Sequence, residues 1–457
     1  MTQVFALHST YGLATAVAAI DAGLLGDEER VLVPFTSSRV PETSVGIAAD
    51  PALNTLRDRF DRIEDLDAVL GPLHPSFWEP RDVDLPVLER LLARAWNVDA
   101  RDLELMVQSP QVAPARTLLS VFPSARVTII GDGLMTYSPM RVKLPHIVSA
   151  RIRRVVYADV VPGVQPLVGG TAALAVPVAP ETFKEALLET AASALRDDAA
   201  ISTLDDGTPT VLVLGQYLSA LGLVKPEEEI ALQADMIDRA VQWSPERVVF
   251  KPHPSAPPLL ADAVRERAIA LGLEFVEYRG SIAAEVLADR LDVRGVVAGF
   301  STALPTVREL FGREIGSAGT ETVMKRLTPF ENSNRIPATI VDALTRADSP
   351  YQDPLRLQLL IDAVGFVMQP VIAGHLRSRA EQLLTELDPA ERERYFSAKR
   401  LSVLGLPGSA GETLLGRVIR AADGSSADGV GRIEEWRLTV SGARRRAGRA
   451  WRAIRGR

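Results

Sequence analysis

The chain has 457 residues, of which 47% are hydrophobic and 24% are charged, so it has the composition of a globular protein and the length for two sizeable domains. It contains no cysteine, which excludes disulfides and thiolate metal sites and predicts a cytoplasmic location. Its net charge of −7 argues against a general nucleic-acid binder.

The first half of the sequence alternates short apolar runs with helix-length amphipathic segments, a pattern that predicts βα units. The predicted strands cover residues 4–7, 30–34, 103–107, 127–130 and 155–161. Prolines and glycines mark 162–180 as a connection, and 197–208 has the composition of a linker. We therefore expect an N-terminal βα domain over residues 1–200.

The second half restarts the same alternation. The predicted strands cover residues 210–214, 247–250, 274–276, 295–298 and 313–315. We expect a second βα domain over residues 208–350 and a helical extension over 351–420. The predicted fold is α/β, with two βα domains in series and C-terminal helices packed outside.

The C-terminus is predicted to be a flexible linker followed by a basic tail, over residues 421–457. Residues 441–457 include seven arginines and no acidic residue, and a helix there would place its apolar residues on one face. This pattern is typical of peripheral contact with an anionic membrane. A disordered basic tail, or one that folds back on the acidic body, is the alternative. We expect no signal peptide and no membrane span.

His253 lies between two prolines just after the predicted strand 247–250. Pro252 and Pro254 fix the backbone and prevent a helix or a central strand from continuing, so the imidazole is held on a stiff loop. With Lys251 it offers a charge and a proton donor to a departing phosphate at the end of a strand. The simpler interpretation is a surface loop that contains a histidine.

Asp132 follows the predicted strand 127–130 and is flanked by Gly131 and Gly133. Glycines allow the backbone and a substrate to approach closely. A carboxylate at this place could take the proton of an attacking hydroxyl. The alternative is an aspartate that only stabilises its own turn.

Ser301 and Thr302 lie between the predicted strand 295–298 and the next helix. Hydroxyls and free amides at a helix N-terminus form an anion site, although ordinary N-capping also explains them. Residues 299–303 approach the G-x-S-x-G elbow of hydrolases but lack its last glycine. Asp82 and Asp84 form a D-x-D motif, which we interpret as helix capping and not as a metal site.

Taken together, these residues resemble the bacterial sialyltransferases, and most closely the α-2,8-polysialyltransferase family of glycosyltransferases. That family has an acidic-acidic-Gly turn, a His-Pro motif and a pair of adjacent Ser or Thr, in this order. The corresponding residues here are 131–133, His253 with Pro254, and Ser301 with Thr302. Further likeness comes from 215–217 and 330–335, and the resemblance extends over roughly residues 1 to 400 as a pattern.

The resemblance implies a GT-B fold, in which two Rossmann-like domains face a cleft. The N-terminal domain, 1–200, would bind the acceptor, and the C-terminal domain, 208–350, would bind the nucleotide donor. It also implies inverting transfer of sialic acid, or a related nonulosonic acid, from a CMP-activated donor to a glycan or lipid-linked acceptor, without a metal or other cofactor. Asp132 would be the base, and His253 the acid or phosphate partner. The donor site is expected to include Gly215, Gln216, Lys251, Pro254, Ser301, Thr302 and Glu331. Glu331 would contact a ribose hydroxyl, and a plain surface loop is the alternative for this residue. The sequence departs from the family at Gly131, where the family has an acidic residue, so the base is Asp132 or lies elsewhere.

Two other functions fit the same residues. A transferase that uses CDP-glycerol or another cytidine nucleotide in cell-wall polymer synthesis also needs a histidine loop for the nucleotide. A non-catalytic nucleotide-sugar-binding protein of the same fold would explain the missing carboxylate at Gly131.

Overall fold

The structure, a computed structural model, describes residues 1–37, 46–192, 195, 198–220, 222–253 and 258–409. Pro254 and the predicted linker and tail, 421–457, lie outside the described residues. The chain divides into two compact units, Met1–Asp362 and Ala363–Arg457, and both β-sheets belong to the first. Among the described residues, no helix is both long and apolar enough to cross a bilayer.

The first sheet has seven strands. They are β1 (Thr2–Leu7), β2 (Glu29–Pro34), β3 (Arg62–Ile63), β4 (Leu103–Val107), β5 (Arg126–Ile130), β6 (Ile152–Ala158) and β7 (Leu174–Val178). All pairs are parallel, in the order β3-β2-β1-β4-β5-β6-β7. Val4 pairs with Val31 on one side and Leu105 on the other, and all three side chains are fully buried. Continuous apolar strands of this kind are typical of a parallel sheet that is covered on both faces.

The second sheet has five parallel strands in the order β10-β9-β8-β11-β12. They are β8 (Thr210–Leu214), β9 (Arg247–Lys251), β10 (Glu274–Glu277), β11 (Gly295–Ala298) and β12 (Glu314–Ser317). Val211, Val248 and Val297 from its central strands are fully buried against Met236 and Val264 of the covering helices. This packing gives the second sheet a hydrophobic core of its own.

Helices connect the strands and cover both sheets. Those of the first half are α1 (Thr10–Asp21), α2 (Asn54–Arg57), α3 (Leu66–Leu70), α4 (Leu85–Ala95), α5 (Ala115–Val121), α6 (His146–Ser149), α7 (Pro180–Glu189) and α8 (Ala199–Leu204). The second half has α9 (Pro226–Ala240), α10 (Pro258–Ala270), α11 (Ala284–Arg290), α12 (Ala303–Phe311), α13 (Thr320–Arg326) and α14 (Arg335–Thr345). Four more follow, α15 (Pro354–Met368), α16 (Arg377–Glu386), α17 (Pro389–Tyr395) and α18 (Ala398–Leu404).

The helix α1 is buried because its residues are small. Ala14, Ala16 and Ala18 are fully buried, and the ring of Tyr11 lies 4.9 Å from that of Phe183 in α7. An alanine-rich helix allows close packing at little cost in side-chain entropy. The start of α1 is thereby fixed at the carboxyl end of β1.

The predicted fold class is confirmed by the two parallel sheets with their helices, the GT-B type of organisation. The strands β3 and β7 were not predicted, because β3 has only two residues and β7 contains Pro177 at the edge of the sheet. The capping prediction for Asp84 is wrong in detail, since its carboxylate accepts from Arg81 Nε (2.8 Å) and makes no capping hydrogen bond. The domain limits at 200, 208, 350 and 420 stay predictions.

Candidate active site

In open parallel sheets, ligands bind beyond the carboxyl ends of the strands, at the point where the strand order reverses. In the first sheet this point lies between β1 and β4, because β2 and β3 extend to one side and β5 to β7 to the other. In the second sheet it lies between β8 and β11. Residues just after these four strands are therefore the first candidates for a site.

A hydrogen-bonded group of side chains occupies the carboxyl edge of the first sheet. Gln108, just after β4, accepts through Oε1 from the backbone amide of His8, just after β1 (2.8 Å). Its Nε2 donates to Ser9 Oγ (3.0 Å), and Ser9 Oγ donates to Oδ1 of Asp132 (3.0 Å). The predicted residue Asp132 is thus connected to both strands of the crevice. His8, Ser9 and Gln108 were not predicted as site residues.

The carboxylate of Asp132 is directed to Ser9 and not to its own turn. Asp132 precedes a short 3-10 helix, Gly133–Tyr137, without forming a capping hydrogen bond. Its amide instead donates to Thr136 Oγ1 (2.8 Å). The structure therefore does not fit the alternative in which Asp132 only stabilises its own turn.

Gly131 has a steric reason to be glycine. A Cβ at this position would lie 2.9 Å from Tyr157 Cβ and 3.2 Å from Tyr157 Cα, and 2.9 Å from Thr136 Oγ1. The amide of Gly131 donates to Val156 O (2.7 Å), which holds the turn against β6. Because a side chain has no room here, Asp132 is the carboxylate that this turn presents.

The imidazole of His8 lies beside the ring of Phe35, with the two ring centroids 5.3 Å apart. Burial lowers the pKa of His8 from its ordinary value, and the carboxylate of Asp132 opposes this shift because it favours the charged ring. The neutral form of His8 therefore dominates at neutral pH. A neutral imidazole can accept a proton.

The Asp132 turn meets Thr302 of the second sheet. The amide of Leu134 donates to Thr302 Oγ1 (3.4 Å), and a Cβ at Gly133 would lie 2.5 Å from Thr302 Cγ2. Gly133 also has a φ of +55°, which a glycine adopts without strain. The carboxyl edges of the two sheets therefore face each other at this point.

Ser301 and Thr302 differ in their local contacts. Ser301 Oγ accepts from the amide of Ala303 (3.2 Å), whereas Thr302, the N-cap residue of α12, makes no capping hydrogen bond with its side chain. Ordinary capping thus accounts for Ser301 but not for Thr302. The N-terminus of the nine-residue helix α12 lies at the same edge, where its amides and dipole favour an anion.

Gly215 and Gln216 lie on the other side of the second crevice. A Cβ at Gly215 would lie 2.8 Å from the ring of Phe250, and a Cβ at Gly299 would collide with Gln216 Oε1. The side chain of Gln216 therefore reaches from the end of β8 to the end of β11. This brings Gly215 and Gln216 together with the turn that contains Ser301.

The ammonium group of Lys251, at the end of β9, is bound by the protein itself. Its Nζ donates to Gly280 O (2.8 Å) and lies 5.0 Å from the ring centroid of Tyr278. Burial lowers the pKa of Lys251, and the carboxylate of Glu285 opposes this shift. A role of Lys251 in donor binding stays a prediction, and it requires the ammonium to leave the Gly280 carbonyl.

His253 lies two residues beyond β9, one strand away from the crevice of the second sheet, and its side chain is exposed. Partial desolvation lowers the pKa of its imidazole, and Glu229 opposes this shift. Its predicted partner in the motif, Pro254, is not among the described residues. The role of His253 stays a prediction.

Glu331 is buried, with 8% of its surface exposed, so the interpretation of Glu331 as a surface-loop residue is wrong. It precedes α14, where Arg335 donates to the carbonyls of Met324 (3.0 Å) and Leu327 (2.8 Å). Burial lowers the pKa of Arg335 to about 10, and Glu331 opposes this shift. In the same loop, the carbonyl of Ser333 accepts from Ser138 Oγ (3.1 Å), which connects the loop to the first half.

Tyr11 and Glu285 are further buried groups near the site that were not predicted. Burial raises the pKa of Glu285, and Lys251 opposes this shift. Burial also raises the pKa of Tyr11, with contributions from Glu285 and Asp132. Glu285 lies in the first turn of α11, where a glutamate interacts favourably with the helix dipole. The local sequence therefore contained no sign that this residue is buried. Within the described part of the chain, no group of three or more His, Asp or Glu side chains could hold a metal ion.

Comparison with known proteins identifies the family. The family model described as Alpha-2,8-polysialyltransferase matches residues 3–315, while a search of curated proteins finds no match. Among solved structures, the GT-B domain of a sialyltransferase from Photobacterium damselae is 12% identical, with a TM-score of 0.36, over 75% of this chain and 96% of that one. A glycosyltransferase from Rickettsia africae is 10% identical, with a TM-score of 0.37, over 86% and 98%. A UDP-GlcNAc 2-epimerase from Methanocaldococcus jannaschii is 8% identical, with a TM-score of 0.39, over 77% and 94%. Because the family model spans more than half of the sequence, the chain belongs to the alpha-2,8-polysialyltransferase family.

Proposed function

We propose that this glycosyltransferase moves a sialic acid, or a related nonulosonic acid, from a CMP-activated donor to a glycan hydroxyl, with inversion and without a metal ion. The observation that carries the proposal is the meeting of the Asp132 turn with Thr302 at the facing edges of the two sheets. In this proposal the Asp132 carboxylate would face the acceptor and the N-terminus of α12 would face the phosphate.

The chemistry sets two requirements. As the bond between the anomeric carbon and the CMP phosphate breaks, the sugar becomes oxocarbenium-like and the phosphate leaves with the bonding electrons. The acceptor oxygen attacks the opposite face of the sugar and must lose its proton. The enzyme therefore needs a partner for the phosphate on one side and a base on the other.

The second sheet supplies the phosphate side in this proposal. Thr302 Oγ1 and the first amides of α12 would donate to the phosphate oxygens, with Ser301 beside them. Gly215 and Gln216 would border the cytidine. His253 would donate a proton or a hydrogen bond to the phosphate, since a phosphate leaves more readily when its charge is neutralised. Lys251 and Glu331 are weaker candidates for the donor site.

The first sheet supplies the acceptor side. Asp132 is the candidate that deprotonates the acceptor hydroxyl, directly or through a neighbouring side chain. The acceptor is a glycan, free or linked to a lipid. In the latter case the basic tail, 441–457, would bring the enzyme to an anionic membrane surface.

Donor screening tests the proposal. CMP-sialic acid, CMP-Kdo, other CMP-activated nonulosonic acids and CDP-glycerol are offered with a glycan acceptor, and the release of CMP is followed in each case, with and without EDTA. We expect turnover of a CMP-activated nonulosonic acid that EDTA does not reduce. Turnover of CDP-glycerol alone would replace this function with that of a cell-wall polymer transferase, and no turnover of any donor would favour a binding protein.

A further inference from the structure

We propose that His8 accepts the proton of the acceptor hydroxyl, and that Asp132 acts through His8 by stabilising the imidazolium that forms. This inference rests on the proposed transfer reaction. It names the general base, which the sequence leaves open because Gly131 stands where the family has an acidic residue. Four observations support it: the place of His8 in the sheet, the way it is held, the partners of Asp132, and the charges around the ring.

His8 occupies the favoured place for a ligand in the first sheet. It is the first residue after β1, which is one of the two strands at the reversal of strand order. Asp132 follows β5, one strand beyond β4 and away from this point. A substrate in the crevice between β1 and β4 is therefore nearer to the end of β1 than to the end of β5.

The backbone of His8 is held from the opposite strand. Its amide donates to Oε1 of Gln108, and the same oxygen accepts from the amide of Ser9 (3.4 Å). Gln108 is fully buried and lies against Gly12, where any Cβ would collide with the glutamine side chain. Gln108 thus fixes the backbone from which the side chain of His8 extends.

The carboxylate of Asp132 is already engaged by a proton donor. Ser9 Oγ donates to Oδ1, and Ser9 accepts from Gln108 Nε2, so the chain of hydrogen bonds runs in one direction toward the carboxylate. This arrangement orients Asp132 toward the carboxyl end of β1. In general an imidazole is a stronger base than a carboxylate, and it is therefore the better acceptor of an alcohol proton.

The surroundings of His8 suit a base that must be neutral before reaction and charged after it. Burial lowers the pKa of the imidazole and Asp132 opposes this shift. Phe35 from the end of β2 and Gln108 from the end of β4 are uncharged, so Asp132 is the charged group that acts on His8 among the described residues. The carboxylate thus stabilises the positive charge that proton transfer creates.

The step balances without another reactant. The acceptor oxygen forms its bond to the anomeric carbon while the bond from that carbon to the CMP phosphate breaks. The hydroxyl proton passes to the unprotonated ring nitrogen of His8, and CMP takes the bonding electron pair. Release of the proton to solvent returns His8 to its neutral form.

The test compares the wild type with the variants His8→Gln and Asp132→Asn. His146→Gln is the matched control, because His146 is an exposed histidine. For each protein, the kcat/KM of CMP release with acceptor is measured from pH 5 to 9, and CMP binding is measured by calorimetry to confirm a folded donor site. We expect His8→Gln to lose about 10²-fold to 10⁴-fold in kcat/KM, the usual effect of a general base, with unchanged CMP affinity. The His146→Gln control should retain wild-type activity.

The pH profile separates the two roles. In the wild type, kcat/KM should rise with pH on the acid side of its profile as His8 loses its proton, whereas any fall at higher pH belongs to the proposed donor His253. In Asp132→Asn this rise should move to lower pH, because the carboxylate that raises the pKa of His8 is gone, and in His8→Gln it should vanish. If the wild type is active and the His8→Gln variant is equally active, or keeps the same acid limb in its pH profile, the role of His8 is overturned while the transfer reaction stands. A wild type that turns over no CMP-activated donor would overturn the transfer reaction itself.

Discussion

Substitution of Gly131 should destabilise the protein, and the structure indicates by how much. The substitution Gly131→Ala would place a methyl group 2.9 Å from Tyr157 Cβ and 3.2 Å from its Cα, closer than such contacts normally are. Tyr157 Cα belongs to the backbone of β6, and the hydrogen bond from Gly131 to Val156 O prevents the turn from moving away. Overpacking of this kind costs about 1–3 kcal/mol. Gly131→Asp, which restores the family's carboxylate, should cost at least as much.

The assay is urea unfolding followed by tryptophan fluorescence and circular dichroism, combined with CMP release. We expect the midpoint to fall in both Gly131 variants and no gain in activity in Gly131→Asp. Gly374→Ala is the control, since Gly374 has open space around its Cβ and no positive φ, and it should stay within about 0.5 kcal/mol of the wild type. A Gly131→Asp protein that is as stable as the wild type and more active would refute the steric explanation and place the base at position 131.

Three further predictions concern the donor and the membrane. Thr302→Val should weaken CMP binding by about tenfold in calorimetry, because a hydrogen bond to a charged group contributes about 1.5 kcal/mol or more; equal affinity would count against phosphate binding by Thr302. Partial desolvation lowers the pKa of His253, and a phosphate dianion should raise it on binding, so wild-type CMP affinity measured from pH 5 to 8.5 should fall with rising pH more steeply than that of His253→Gln; parallel slopes over the whole range would exclude the contact. Deletion of 441–457 should reduce sedimentation with anionic liposomes, and unchanged sedimentation would remove the proposed membrane contact.

The strand ends were the part of this protein that the sequence could predict. Buried parallel strands form continuous apolar runs, and the turn around Asp132 and the hydroxyls of Ser301 and Thr302 follow them immediately. What the sequence could not show is which strand ends are neighbours. Since the order of the strands in the sheet is a tertiary property, nothing marked His8 and Gln108, far apart in the chain, as partners of Asp132.

Side-chain direction was equally hidden. Lys251 lies in a motif that suggests a phosphate contact, yet its ammonium is bound to Gly280 O, a residue of a later loop. Glu331 looked like part of a surface loop and is buried beside Arg335. In both cases a long-range contact decides the environment, and such contacts leave no local pattern in the sequence.

A structure of the protein with bound CMP tests the central claim most directly. The account predicts the phosphate of CMP at the N-terminus of α12, within hydrogen-bond distance of Thr302 Oγ1, with the cytidine beside Gly215 and Gln216. The leaving oxygen should then point toward the crevice in which His8 and Asp132 lie. CMP bound elsewhere, with its phosphate away from α12, would contradict the account.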